Sequence, residues 1–345
     1  MTQIQNQQIV LAARPDADLQ PTDFRLEDVD VPVPGEGEVL LETIYLSIDP
    51  YMRWWMRGEK SYNDPIEIGQ VMVGGTVSRV RQSRHPKWPV GAWVLAFSGW
   101  RRFAVSDGSD LRRIDPEIAA PSTALGVLGM TGFTAYAGLR NIGRPKAGET
   151  VVVAGASGAV GSAVGQIARI HGARAVGITT GAEKLDYVKN ELGFDAVADY
   201  KAPDFAEQLA KASPKGIDVY FENVGGKVWD TVLPQLNLFA RVPVCGLISQ
   251  YDVAAGGIGS NDRLPNAMAQ IMGKSLTLRG FIQTEFVDEQ MDDFLREAGQ
   301  WIADGRLRYR EHVVHGLDAA PQALIGLLKG QNFGKTLVQV GEPRD

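Results

Sequence analysis

The residues with the most chemical content run from Val151 to Gly165, V-V-V-A-G-A-S-G-A-V-G-S-A-V-G. Ala156, Gly158 and Gly161 fill the three positions of a G-x-G-x-x-G fingerprint, with alanine in the first. At such a loop the second glycine lets backbone approach a pyrophosphate and the third lets the helix press on the strand; the helix start turns free N–H groups toward the anion. The motif alone is weak. Here it follows an expected strand and opens an expected helix, which is the context that gives it meaning. Ala159 and Val160 lie between the last two glycines. G-A-S-G-A at Gly155 to Ala159 also resembles a nucleophile elbow, but its overlap with the fingerprint explains Ser157 better as a phosphate-loop residue.

A dinucleotide carrying a ribose diol would call for Asp or Glu about 20 residues on, at the end of the second strand. That strand ends Ile178-Thr179-Thr180-Gly181, with no carboxylate before the helical Glu183, and Lys184 follows. A lysine there pairs with a 2′-phosphate rather than a diol, so NADP is preferred. The charge alone leaves open an ordinary solvated helix lysine.

Other chemistries find little support. One cysteine, Cys245, cannot form an internal disulfide or supply a thiolate zinc site. His85, His171, His312 and His315 are scattered and fit surface or packing roles. No metal site is expected. The carboxylates form no paired motif. What remains is hydride transfer that needs no metal, and reduction of an α,β-unsaturated carbonyl fits it: a neutral hydroxyl suffices to stabilise the developing enolate. Tyrosine stays protonated at neutral pH and suits that task. The chain has nine tyrosines, and composition does not choose among them.

These groups must be held by two domains. At 345 residues the chain exceeds the length at which a single core stops growing. Up to about residue 115 it shows short apolar or alternating runs, Ile9 to Ala13, Glu38 to Ile48, Met72 to Val80 and Ala92 to Phe97, broken by Pro and Gly. That rhythm indicates a β-rich, barrel-like domain. From Thr150 it changes to alternating strand and helix. Strands are expected at Thr150 to Ala154, Ala173 to Ile178, Ala196 to Tyr200, Ile217 to Phe221, Arg241 to Leu247 and Leu276 to Ile282, with helices at Ser162 to Ile170 and Glu183 to Leu192. This is the form of a doubly wound parallel sheet. An amphipathic stretch, Thr284 to Ala303, precedes strand-like runs at Arg306 to Val314 and Lys335 to Val340, with a helix-like Pro321 to Leu328 between them. Pattern does not say which domain this tail joins.

A net charge of −6 argues against nucleic acid as a partner. Arg53 to Arg113, with eleven Lys/Arg against five Asp/Glu, reads as a solvated face. The uncharged runs Ile118 to Leu139 and Thr150 to Ala168 are long enough for a membrane, but repeated Gly, Ser and Thr suit close packing better. No signal-peptide pattern opens the chain. A soluble, cytoplasmic protein is expected.

D-P-Y-M-R at Asp49 to Arg53, G-G-T-V at Gly74 to Val77, G-M-T-G-F-T-A-Y at Gly129 to Tyr136 and F-E-N-V-G-G at Phe221 to Gly226 resemble the zinc-independent medium-chain dehydrogenase/reductases. Within these the likeness is to the group of prostaglandin reductases, leukotriene 12-hydroxydehydrogenases, plant alkenal reductases and bacterial NADPH-dependent curcumin reductases. C-G-L-I-S-Q-Y at Cys245 to Tyr251, R-G-F-I at Arg279 to Ile282 and N-F-G-K-T at Asn332 to Thr336 extend it almost end to end. Thr131, Phe133 and Asp252 depart from the group's common residues.

The resemblance implies an α/β protein: a GroES-like β-barrel domain, residues 1–125 and 306–345, and a Rossmann domain with a six-stranded parallel sheet, residues 126–305. It implies NADPH, with the pyrophosphate at Gly158 to Gly161 and the 2′-phosphate near Gly181, Lys184 and Tyr200. The nicotinamide side would involve Met130, Thr134, Asn223, the loop residues Cys245, Gly246, Ile248, Ser249 and Tyr251, and Phe281, Asn332 and Gly334. Tyr251 would face the substrate carbonyl as the catalytic hydroxyl; Tyr51 and Tyr62 fall in segments that would line the substrate pocket. Trp54 and Trp55 would shape that pocket or pack a helix, and packing is preferred. The implied activity is reduction of the C=C bond of enals and enones by a homodimer; a quinone reductase and a non-catalytic NADPH sensor are the alternatives. Cys245 would be a small packing residue beside the cofactor rather than a nucleophile.

Overall fold

The computed structural model describes residues 5–58, 60, 63–251 and 263–343. The chain divides into two compact units, Met1–Leu125 with Glu311–Asp345, and Gly126–Arg310. Numbered along the chain, the first unit holds β1 (Asn6–Leu11), β2 (Phe24–Val29), β3 (Val39–Ser47), β4 (Thr76–Ser83), β5 (Trp93–Ala96), β6 (Phe103–Ser106) and β7 (Arg112–Arg113). The second holds β8 (Thr150–Ala154), β9 (Arg174–Thr179), β10 (Ala196–Asp199), β11 (Ile217–Phe221), β12 (Leu236–Val244) and β13 (Thr277–Gly280). The tail supplies β14 (Glu311–His315) and β15 (Lys335–Gln339).

In the first unit β1 and β2 form an antiparallel pair, and a seven-stranded sheet runs β14-β15-β3-β4-β5-β7 with β6 also on β3. β3 is buried along nearly its whole length because it has β4, β6 and β15 as neighbours. The tail question is thereby answered: β15 runs antiparallel to β3, so the C-terminus joins the first unit's sheet. The strand expected from Met72 starts only at Thr76, after the glycine pair; a Cβ at Gly74 would lie 3.0 Å from a Leu46 methyl. Trp55 is buried in a cluster with Leu46, Met52 and Trp100, and Trp54 packs on its margin beneath the Arg57 guanidinium, 4.4 Å from the ring centre. Both tryptophans therefore pack the short helix Tyr51–Trp55 against the core.

In the second unit the strand order is β10-β9-β8-β11-β12-β13, and every pair is parallel. Counted from β8 this is 3-2-1-4-5-6, the doubly wound order whose ligand crevice opens where the order reverses, at the carboxyl ends of β8 and β11. β8 is buried at all five positions, so it carries a continuous apolar run instead of an alternating one. The helix expected from Ser162 begins at Ala159, and the one expected from Glu183 is an α-turn, Ala182–Asp186, continued by a π-turn, Tyr187–Glu191. β12 starts at Leu236 and stops at Val244, before the loop it was expected to include; Phe239 interrupts it at φ +62°, donating its N–H to the Lys274 carbonyl at 2.8 Å. Of the strand expected over Arg306 to Val314 only the end from Glu311 forms. Arg306 and Leu307 instead donate backbone N–H groups to the Trp301 carbonyl, ending the helix Val287–Ala303. The helix Met130–Gly138 had no amphipathic signal: seven of its nine residues are buried, so it shows no polar face. Phe133 meets Phe294 edge-on at 5.4 Å.

Candidate active site in the second unit

At the end of β8 the chain turns through Gly155 at φ +68°, then Ala156 donates its N–H to the Ile178 carbonyl of β9 at 3.0 Å. Alanine is acceptable at the first fingerprint position because the left-handed residue is the glycine before it. A Cβ on Gly161 would stand 2.3 Å from the Gly155 carbonyl oxygen, so only glycine lets the helix Ala159–Ile170 approach the strand this closely. Gly158, Ala159 and Val160 are half-buried while the next eight residues are buried. The N-terminal turn of this helix is thus accessible, and its first N–H groups have no partner within the helix. Ser157 points elsewhere: its hydroxyl bonds the Thr179 hydroxyl at 2.8 Å, both residues buried, which ties the loop to β9.

β9 and β10 lie side by side, Thr179 opposite Asp199, and this brings Gly181 and Lys184 alongside Tyr200 and Lys201. Gly181 takes φ +92° and starts the helix carrying Lys184. Burial lowers the Lys184 pKa below the usual lysine range; Glu183 pulls it back up, and the nearby Lys201 ammonium pushes it down again. Two cations thus share one corner. Lys201 escaped the sequence reading although it directly follows Tyr200 after a strand; only the pairing of β9 with β10 shows that it adjoins Lys184. Glu183 has its carboxylate 3.6 Å from the Arg310 guanidinium.

The third cluster follows β11. Asn223 donates its side-chain N–H to the Ala154 carbonyl at 2.9 Å, joining this turn to the end of β8. The buried Glu222 carboxylate accepts the Val224 and Gly225 N–H groups at 2.6 and 2.9 Å. Burial pushes that carboxyl above its usual range, and those two N–H groups pull it partly back. The same turn templates the Cys245–Tyr251 loop. Cys245 and Gly246 donate to the Glu222 carbonyl, Ile248 to that of Asn223, and Ser249 to that of Val224, through its N–H at 3.1 Å and its hydroxyl at 2.6 Å. Glu222 is thus a structural keystone that sequence reading passed over as one letter of a motif.

Tyr251 ends this loop, its hydroxyl accepting the Leu247 N–H at 3.3 Å. Burial raises its pKa above the usual tyrosine range, the Leu247 N–H opposes the rise, and Cys245 adds to it. The hydroxyl therefore stays protonated at neutral pH. Cys245 is half-buried; burial, reinforced by Glu222, pushes its thiol up to about 12. Met130 is half-buried at the start of its helix, and Thr134 spends its hydroxyl proton on the Met130 carbonyl at 2.7 Å. Phe281 stands edge-on to Phe221, ring centres 6.1 Å apart.

Tyr51, Asn332 and Gly334 belong to the first unit. Tyr51 stacks at a tilt on Trp55, 4.6 Å between ring centres, and Asn332 donates its amide to the Gly334 carbonyl at 3.0 Å. Tyr62 lies outside the described residues. Among the described residues no group of three or more His, Cys, Asp or Glu is placed to hold a metal ion. His171 packs edge-on to Trp301, and His85 accepts the Lys87 N–H.

Residues 7–114 match the family model described as the N-terminal domain of oxidoreductase, and residues 159–300 the one described as zinc-binding dehydrogenase. The second segment holds one cysteine and one histidine, Cys245 and His171. The NADPH-dependent curcumin reductase of Escherichia coli (strain K12) is 54% identical over 335 residues, 97% of each chain. The chain belongs to the zinc-independent medium-chain dehydrogenase/reductases. Prostaglandin reductase 1 of Oryctolagus cuniculus is 42% identical over 320 residues, 91% of this chain and 87% of the relative. The crystal structure of CurA from Vibrio vulnificus in complex with NADPH superposes with a TM-score of 0.94 at 51% identity, covering 98% of this chain and 100% of that one. In the terms of this family, the first unit carries the GroES-like sheet and the second the Rossmann sheet.

Proposed function

We propose that this protein is an NADPH-dependent reductase of the C=C bond of α,β-unsaturated aldehydes and ketones. The observation that carries the cofactor in this reading is the paired cation corner, Lys184 with Lys201, beside a glycine-lined helix start at the ends of parallel strands; likeness to the curcumin and prostaglandin reductases supports the substrate class. An adenine dinucleotide with a 2′-phosphate fits both features at once. Gly158, Ala159, Val160 and Gly161 hold the pyrophosphate; Gly181, Lys184, Tyr200 and Lys201 surround the 2′-phosphate. Met130, Thr134, Asn223, Phe281 and the Cys245–Tyr251 loop form the nicotinamide side, with Asn332 and Gly334 assigned to the cofactor as well.

When bound, NADPH supplies a hydride to the β-carbon of the substrate. Tyr251 hydrogen-bonds the carbonyl oxygen through its O–H as enolate charge builds there, a donor held in place by its own loop, so little reorganisation is needed, and the enolate then takes a solvent proton at its α-carbon. Cys245, protonated and held by its backbone bonds, contributes shape to the loop and no nucleophile. Tyr51 is the aromatic wall offered to substrate.

A panel of enals, enones and quinones, followed by NADPH absorbance with product analysis, tests the reading. Saturated carbonyl products from enals and enones support it. Faster turnover of quinones than of any enone points to a quinone reductase, and tight NADPH binding without turnover of any member points to a sensor.

We infer that the active form is a homodimer. Leu264, Met268 and Met272 recur every fourth residue on the helix Leu264–Gly273 and are 63%, 55% and 80% exposed. β13 is an edge strand of the sheet, and Leu238 and Phe239 are exposed at 64% and 68%. An apolar helix stripe of this kind calls for a self-complementary partner, which a second copy supplies. Met268→Glu with Met272→Glu should shift the sedimenting species from dimer to monomer; a wild-type monomer at micromolar concentration removes the inference. We place the protein in the cytoplasm, since its lone thiol suits a reducing compartment; recovery of the activity outside the soluble cell fraction would overturn this.

A further inference from the structure

Two segments 286 residues apart in sequence meet in the first unit through charge. The Lys335 ammonium donates to Asp49 Oδ1 and to the Ile48 carbonyl, each at 2.8 Å, and the Ser47 hydroxyl donates to Asp49 Oδ2. Lys335 and Asp49 side chains are at most 5% exposed. A second carboxylate faces the same lysine: Glu311 stands opposite Lys335 in the β14–β15 register. Burying charges is expensive, and well-packed apolar residues of similar volume often hold a core as well or better. The sheet has its own backbone register there: the Ile48 N–H donates to the Thr336 carbonyl at 3.2 Å, and β15 pairs with β3 from Leu337 onward. Packing alone therefore does not call for the ion pair.

Its position does. Asp49 directly precedes Pro50 and Tyr51, at the start of the helix Tyr51–Trp55, and Lys335 directly follows the Asn332–Gly334 turn, where Gly334 takes φ +80°. We infer that the buried Ser47–Asp49–Lys335 cluster is a positioning device that sets the Tyr51 turn and the Asn332–Gly334 loop in register with each other for substrate and cofactor. The inference rests on the reading above, in which those two segments serve the reaction. A charge pair with an added hydroxyl has one favourable geometry, whereas an apolar contact tolerates sliding. The cluster thus fixes angle and register where a leucine pair would fix only proximity.

The test separates stability from positioning. The variants are Lys335→Met alone, Asp49→Leu with Lys335→Met, and Asp49→Asn, which keeps an oxygen for Lys335 and removes the charge. Melting temperature, NADPH dissociation constant by fluorescence, and KM and kcat for an enone are read for each. The single Lys335→Met strands a buried carboxylate and should melt well below wild type. The double variant should regain the melting temperature while NADPH dissociation constant and enone KM each rise at least fivefold, with kcat within threefold. A double variant with wild-type stability and unchanged constants overturns the inference. Should the double not fold, Asp49→Asn decides by the same constants, and failure of both to fold makes the cluster a stability element and overturns it too. Absence of enone turnover in the wild-type protein counts against the functional reading instead, and the NADPH affinities still decide the cluster.

Discussion

Lys184→Ala should weaken NADPH by roughly thirtyfold and leave NADH almost untouched. Two unit charges about 4 Å apart interact by about 1 kcal/mol in a water-like dielectric and about 4 kcal/mol at an effective dielectric near 20. Lys184 is half-buried and Lys201 exposed. About 2 kcal/mol is a reasonable value for the first and about 1 kcal/mol for the second, or roughly thirtyfold and fivefold in dissociation constant. The double alanine variant should lose at most about 150-fold, because neighbouring charges are not independent. Since NADH has no 2′-phosphate, its affinity should change less than twofold. Fluorescence titration of both cofactors with wild type, each single variant and the double gives the ratio directly, and the preference should shrink with added salt. Equal losses for the two cofactors, or a loss under twofold for NADPH in Lys184→Ala, would refute the assignment. The pH dependence has a definite sign. The 2′-phosphate loses charge below about pH 6, so the preference for NADPH falls there. On the alkaline side Lys184, its pKa lowered by burial, loses its proton earlier than an ordinary lysine; the preference falls as pH rises toward the lysine range, and NADPH binding there takes up a proton.

Tyr251→Phe removes the hydroxyl offered to the carbonyl and leaves the ring; kcat for an enone should fall about tenfold to a hundredfold with NADPH affinity within about threefold, and unchanged turnover would move the role to another donor. With its thiol pushed up to about 12, Cys245 should react with a thiol reagent near neutral pH about tenfold to a hundredfold more slowly than an ordinary cysteine; as the sole cysteine, it makes whole-protein thiol counting a direct readout, and rapid stoichiometric labelling of native protein would contradict the raised thiol pKa. Treatment with a strong chelator should leave enone reduction at its starting rate, whereas inactivation reversed by zinc would overturn the metal-free mechanism.

The second unit was legible in the sequence because its signals are local. Six apolar runs separated by helical spacing define a doubly wound sheet, and β8 and β11 have the expected ends. Lys184 was legible as a cation where a carboxylate was missing. The helix Met130–Gly138 was not, because a segment buried all round has no period to display. Tyr51, Asn332 and Gly334 were named only through motif likeness, since nothing in their own neighbourhoods marks them. Trp54 and Trp55 admitted two readings until the core around Trp55 showed packing.

By itself, then, the sequence determined what lies within one turn or one strand: the glycine loop between a strand and a helix, the parallel alternation, the single thiol. Tertiary structure decided what depends on two distant segments meeting. Lys201 joins Lys184 because β10 pairs with β9; Glu222 matters because its turn carries the Cys245–Tyr251 loop; Lys335 finds Asp49 because β15 returns to β3. Periodicity and turn chemistry act over a few residues, so they are written along the chain. Charge pairing and hydrogen bonding between segments depend on which strands become neighbours, and the packing of the whole unit settles that.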